Sequence, residues 1–437
     1  MDSAAIGDRS LTRRPVQRMP VRVMNAIGNG CRRLGLERIR LNAEDMCREA
    51  TRRTGLSDFG DESFRGALEV LVDSIQREAH LHTVARHLIR GQIIGRLAAR
   101  LQMQAYWTKR PQVLERPLMR PMFILGLPRT GTTLLFYLLA QDPAHRWLSN
   151  WEALSPLPCD SAPDQRRRRA VKHNQLLNWL APDLRRKHAM AADNPAECIQ
   201  LQLMTFESEY FPFAMDIPAY RTWLYRRDRA SGYRHYRNQL CVLQDQRWGE
   251  RWLLKTPFHI FSLDALLAVF PDACIVHTHR DPLKALPSTC SLQATLRDLY
   301  ADKVDCAQLG RDVLEHFAHG MDRCLDARSK AAASHFHDVD YQALVRDPMA
   351  AVDGIYRRFG ICLTPEARAR MLTFLANNPQ HKNGAHRYSL ADFGLDAATV
   401  RARFKRYSDH FLNPSSCAAS GIASGSMSGV RVKETTT

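Results

Sequence analysis

The sequence predicts an α/β protein, a parallel sheet of phosphate-loop type flanked by helices, with a helical N-terminal extension. Three observations carry this. A short apolar run, MFILGL (122–127), leads into a glycine loop and then into an apolar helix, TLLFYLLAQ (133–141). Further apolar runs then alternate with helical stretches, which is the signature of a parallel sheet covered on both faces. The segment up to residue 108 has helical periodicity and no strand signal.

The elements follow in order. Residues 1–20 are polar and basic and are expected to be unstructured. The helical extension is assigned to 21–118, on the periodicity of ESFRGALEVLVDSIQREAHLHTVARHLIRGQIIGRLAARLQ. Two prolines in ERPLMRP (115–121) interrupt that periodicity and mark the boundary. The α/β domain is assigned to 119–411. Its first strand is 122–127, followed by the glycine loop and its helix. A helical block spans 163–248, and its basic run Arg166–Arg169 reads as a solvated helix face. RWLLK (251–255) is the second strand, with a helix over 259–270. DACIVHTHRD (272–281) and SHFHDVDY (334–341) are the third and fourth. The Ser-, Ala- and Gly-rich stretch 412–437 is expected to be unstructured.

Composition bounds the setting. The 437 residues suffice for one large domain with additions or for two domains. The net charge of +17 implies an anionic partner: a nucleic acid, an acidic membrane surface or a polyphosphorylated cofactor. Eleven cysteines without a C-x-x-C pair argue against a disulfide framework and a structural zinc site. No signal peptide is visible, and no apolar run approaches the roughly 18 residues that span a bilayer. The expected location is cytoplasmic, with peripheral contact at a membrane surface compatible with the charge.

The chemistry begins at GLPRTGTT (126–133). Its glycines have the spacing of a nucleotide-triphosphate loop, but Thr132 stands where that loop has lysine, and the basic residue is Arg129. A kinase or NTPase would need that lysine and a metal-binding Asp. A nucleic-acid-binding protein would show a recognisable motif. Neither feature is evident, so both remain secondary readings. Lys255 ends the second strand in LLKTPFH. Arg280 follows the third in HTHRDPLKALPS, where Asp281 can cap a helix with Pro282 at its first position. A guanidinium there suits forked contact with a phosphate.

Taken together, GLPRTGTTLL, LLKTP, HRDP with Ser288 following, and DYQALVRDP resemble the sulfotransferases that use 3′-phosphoadenosine 5′-phosphosulfate (PAPS). The resemblance covers about residues 121 to 411 and is strongest to a bacterial branch with an LPR[ST]GTT loop and an LKxPxH motif. It implies PAPS as donor, PAP as product, no required metal, and a small hydroxylated acceptor. No nucleic-acid partner is implied. By the same resemblance Arg129, Thr130, Gly131, Thr132 and Thr133 form the 5′-phosphosulfate loop. Arg280 and Ser288 meet the 3′-phosphate and Tyr341 the adenine. Lys255 stabilises the departing phosphate and the sulfuryl group. HKNGAHRYSLADFGL nominates Lys382, Gly384 and Arg387 for the 3′-phosphate. Two positions compete as the base for the acceptor hydroxyl: Glu152, in SNWEALSPLP, ranks slightly ahead of His259, and Glu197 is a distant third. The aromatic stretch FESEYFPFAMDIPAYRTWLY (206–225) is a candidate lining for a lipid, sterol or aromatic alcohol.

Overall fold

The computed structural model describes residues 11–13, 15, 17–36, 39–158, 164–187, 191–378 and 388–413. Thr12–Arg13 (β1) pairs antiparallel with Val304–Asp305, and a helix, α1, starts at Met19 and ends at Arg33. The unstructured stretch expected up to residue 20 therefore ends earlier. The cause is long-range: Cys306 N–H donates to Leu11 O at 3.0 Å, and Arg13 pairs with Asp298 at 2.6 Å.

The extension continues as α2 (Ala43–Thr54), α3 (Phe64–Glu78) and α4 (Thr83–Lys109). Side-chain caps set two of the starts, Asn42 accepting from Asp45 N–H and His82 from Ala85 N–H. Along α4, Ile89, Ile93, Leu97 and Leu101 recur at four-residue spacing and are buried. They share one hydrophobic cluster with Phe206, Phe211, Tyr220 and Leu224, so the extension packs into the body of the protein.

The central sheet is parallel throughout, in the order β3-β4-β2-β5-β7. Its strands are β2 (Met122–Gly126), β3 (His145–Trp147), β4 (Arg251–Lys255), β5 (Cys274–His279) and β7 (Phe336–Asp340), with Val304–Asp305 as β6. Four of the five sheet strands are those expected. The fifth, β3, reads only His-Arg-Trp and exists because it pairs with β4; no apolar run announces it. Central β2 is buried along its whole length, as a strand covered on both faces must be.

Register decides where the chemistry collects. Ile124 pairs with Lys255, Gly126 with Thr278, and His279 with Asp340. The carboxyl ends of β2, β4, β5 and β7 therefore finish at one edge, where ligands of open parallel sheets bind. After β2 the chain forms α5 (Thr132–Leu139), and after β3 it forms α6 (Asn150–Leu154). The helical block opens with α7 (Asp164–Leu180), breaks into short helices up to Tyr225, and ends in a long helix, Ala230–Gln246. Its basic run is not uniformly solvated: Arg166 is buried and donates to the carbonyls of Ser155 and Leu157, whereas Arg167, Arg168 and Arg169 are exposed.

Candidate active site

The loop between β2 and α5 takes its shape from two left-handed residues, Arg129 at φ +68° and Gly131 at φ +87°. Glycine is required at 131, since a Cβ there would stand 2.9 Å from the Leu344 side chain and 3.1 Å from the Tyr341 ring. Arg129 carries a side chain in the same region of backbone space, at a cost of about 1–3 kcal/mol. Arg280 holds it there, its guanidinium donating to Arg129 O at 2.7 Å. Arg129 Nε in turn donates to Ser288 Oγ at 2.9 Å.

Arg280 follows β5, and Asp281 caps the helix Pro282–Arg297 through Leu283 N–H, with Pro282 at the first position as expected. Pro287 lies inside this helix, which continues past it and presents Ser288 to the loop. The Arg280 guanidinium lies 4.0 Å from the centre of the Tyr341 ring, and Tyr341 itself follows β7. Arg129, Arg280, Ser288 and Tyr341 thus converge from three strand ends. Desolvation, and after it the facing Arg280, lower the pKa of Arg129. Among the described residues, buried Arg280 Nε finds no hydrogen-bond partner.

The loop hydroxyls divide. Thr130 Oγ1 turns inward, donating to Leu127 O at 2.7 Å and meeting Thr278 Oγ1 at 2.6 Å. It braces the loop against β5 and does not face a ligand. Thr132 and Thr133 open instead onto a cavity of about 970 Å³. Lys255, the last residue of β4, donates to Thr133 Oγ1 at 3.3 Å and to Glu197 Oε1 at 2.5 Å. Thr256 Oγ1 donates to the other Glu197 oxygen at 3.2 Å.

Among the described residues lining this cavity, five are cations (Arg96, Arg129, Lys255, Arg280 and Lys284) and one, Glu197, is a carboxylate. That imbalance suits a polyanion. Away from the loop the lining turns apolar, with Ile89 and Ile93 of α4 facing Leu203, Phe206, Phe211 and Phe213. The first half of the aromatic stretch reaches the cavity, whereas Tyr220 and Leu224 go to the core.

Neither leading base candidate borders the cavity. Glu152 closes a capping box at the start of α6, accepting from Ser149 N–H and Oγ, and pairs with Arg146 at 2.7 Å. Burial would raise its pKa, but Arg146 and Ser149 outweigh burial and hold it below the usual carboxylate range. His259 falls in a 3-10 turn, Pro257–Phe261, where a longer helix was expected. It is fully buried, with Nε2 3.2 Å from Cys198 Sγ and Nδ1 2.7 Å from Tyr233 Oη. Burial drives its pKa down to about 3. Glu197, ranked third, is the acid that faces the cavity.

Lys382, Gly384 and Arg387 lie outside the described residues. Tyr388, Lys284 and Arg96 line the cavity and were not foreseen. Lys284 had a signal, standing four residues after Arg280 at a helix start. Arg96 had none, because α4 is far from every motif in the chain.

Comparison with known proteins gives a family. Residues 121–365 match the model of the sulfotransferase family. The omega-hydroxy-beta-dihydromenaquinone-9 sulfotransferase Stf3 of Mycobacterium bovis is 25% identical over 296 residues, 62% of this chain and 70% of that protein. Among solved structures, sulfotransferase STF1 of Mycobacterium tuberculosis is 36% identical, with a TM-score of 0.71 over 84% of this chain and 99% of its own. Sulfotransferase STF9 of Mycobacterium avium is 32% identical, with a TM-score of 0.79 over 86% of this chain and 98% of its own.

Proposed function

Because the chain belongs to the sulfotransferase family, we propose that it moves the sulfuryl group of PAPS to the hydroxyl of an apolar small molecule. The observation that carries this reading is the cavity's charge, five cations against one carboxylate, together with the unpartnered Nε of Arg280. A nucleotide with anionic groups at both its 3′ and 5′ positions answers both features. Arg129, Gly131, Thr132 and Thr133 would hold the 5′ group, Arg280 and Ser288 the 3′-phosphate, and Tyr341 the adenine. Lys382, Gly384 and Arg387 remain candidates for the 3′-phosphate. Thr130 serves the loop's shape.

When bound, PAPS supplies the activated sulfuryl group. The protein's part is positioning, charge stabilisation and a proton acceptor. Glu197 takes the acceptor's hydroxyl proton, a role supported by its place in the cavity and by its pairing with Lys255 at 2.5 Å. Lys255 and Arg129 stabilise negative charge that grows during transfer. The apolar walls exclude water and accept a hydrophobic body. A relative named for a hydroxylated menaquinone supports an acceptor of lipid type.

Calorimetric titration with PAP in EDTA tests the donor site. PAP should bind without metal and more tightly than ATP. Arg280→Ala should weaken it about ten- to hundredfold, the equivalent of a charged hydrogen bond worth about 1.5–3 kcal/mol. Metal-dependent binding with a preference for ATP would return the protein to the kinase reading.

A further inference from the structure

Two helices, α1, which packs on α4, and α7, which lines the cavity, carry apolar side chains on their outward faces. The rotation of α1 is set by its inner face. There Asn25 Oδ1 accepts from Val84 N–H at 3.0 Å, and Gly28 lies so close to Thr83 that a Cβ would not fit. With Val21, Asn25 and Gly28 turned to α4, the opposite face presents Met19, Val23 and Ile27 at four-residue spacing, with Met24 beside them. Met24 is 54% exposed and Ile27 63%, and just past the helix Leu34 and Leu36 are exposed as well. Such side chains standing together in water mark an interaction surface.

A second element continues the patch. On α7, His173, Asn174 and Leu177 face the cavity, while Val171, Leu176 and Trp179 lie on the outer side and are exposed. Arg18 joins the two helices, donating to Trp179 O at 2.9 Å with its guanidinium 5.5 Å from the Trp179 ring centre. Arg22 and Arg33 are exposed along one flank of α1.

We propose that the outer faces of α1 and the end of α7 seat this protein on an anionic lipid bilayer surface. The composition is that of a helix lying in a membrane interface: aliphatic side chains outward, arginines at the flank and a tryptophan at the rim. Charge argues against the other candidate, a second copy of the chain, which would bring the same arginines and a net +17 to the same face. No described helix is long and apolar enough to cross a membrane, and none needs to. With the protein so seated, the bilayer lies outside α4 and α7, whose inner faces line the acceptor end of the cavity. The surface itself does not depend on the PAPS reading.

Sedimentation of the full chain with vesicles tests it. The protein should partition onto phosphatidylcholine vesicles containing phosphatidylglycerol, and less onto phosphatidylcholine alone or at high salt. The double variant Met24→Ser, Ile27→Ser should bind about tenfold or more weakly, since two apolar side chains leave the interface. Its melting temperature and PAP affinity should match wild type. Should that variant fold poorly, brominated acyl chains give a second measure: they should quench a component of the fluorescence that Trp179→Phe removes. Absence of wild-type partitioning overturns the proposal, as does undiminished binding by a folded double variant. A dimer in light scattering that the double variant splits would assign the face to a second copy instead.

Discussion

Two glutamate–cation pairs adjoin β4, one buried and one open to the cavity. Arg146 and Glu152 have side chains only 1% and 3% exposed, and the carboxylate is held by Arg146 and the N-cap Ser149, with the more exposed Arg247 3.6 Å away. Arg146 also lies 4.4 Å from the centre of the Trp252 ring and donates to the carbonyls of Leu243 and Arg247. Lys255 and Glu197 are just as tightly paired, but the Glu197 side chain keeps 22% of its surface and lines the cavity with Thr133. Charge pairing therefore does not distinguish the two carboxylates; access to the cavity does, and it is the ground for proposing Glu197 as the base.

The largest expected effect would break the comparison outright. Glu197→Gln should lower turnover about 10²–10⁴-fold, the loss typical of a missing general base, while PAP binds as in wild type. Glu152→Gln should leave the rate of the folded enzyme within a few-fold. If Glu152→Gln abolishes turnover in folded protein and Glu197→Gln does not, the roles are reversed. The next effect falls on stability. Glu152→Gln strands Arg146 in the interior, and breaking one side of a buried pair costs about 3–5 kcal/mol; denaturant unfolding measures it. A change indistinguishable from zero would show that water reaches Arg146.

The smallest effect lies in pH dependence. The folded-state pKa of Glu152 is depressed, so its contribution is complete above the unfolded carboxyl value of about 4.3 and is lost as pH falls through the lower folded value. His259, held at about 3 by burial, destabilises the fold across a higher window. Below the ordinary histidine value of about 6.5 the unfolded chain binds the extra proton. Melting profiles should therefore flatten below about pH 4 in Glu152→Gln, and between about pH 3 and 6.5 in His259→Asn. Profiles parallel to wild type would mean that neither group is sealed as described.

Much of the site was legible because motifs at strand ends inherit the register of the sheet. Arg129, Lys255, Arg280 and Tyr341 each stand at or just past the end of a strand expected from the sequence, and parallel pairing brings those ends to one edge. Ser288 was named by the resemblance to the family's motif, and the helix around Pro287 brings it to Arg129. The bases were less legible. Glu152 and Glu197 are both glutamates downstream of the loop, and nothing local states which one turns toward the cavity.

The sequence by itself determined the local elements: the β2–loop–α5 unit, the Asp281 cap and the helical character of the extension. These depend on backbone preference and on neighbours within a few residues. Tertiary structure alone decided that Thr130 points inward, that His259 is sealed against Cys198 and Tyr233, that Glu197 meets Lys255, and that α4 walls the cavity. Each of these depends on groups far apart in the chain. Thr130 and Thr278 stand 148 positions apart, and Lys255 and Glu197 stand 58. Side-chain direction at such sites is set by which surfaces pack against each other, and local sequence does not encode that.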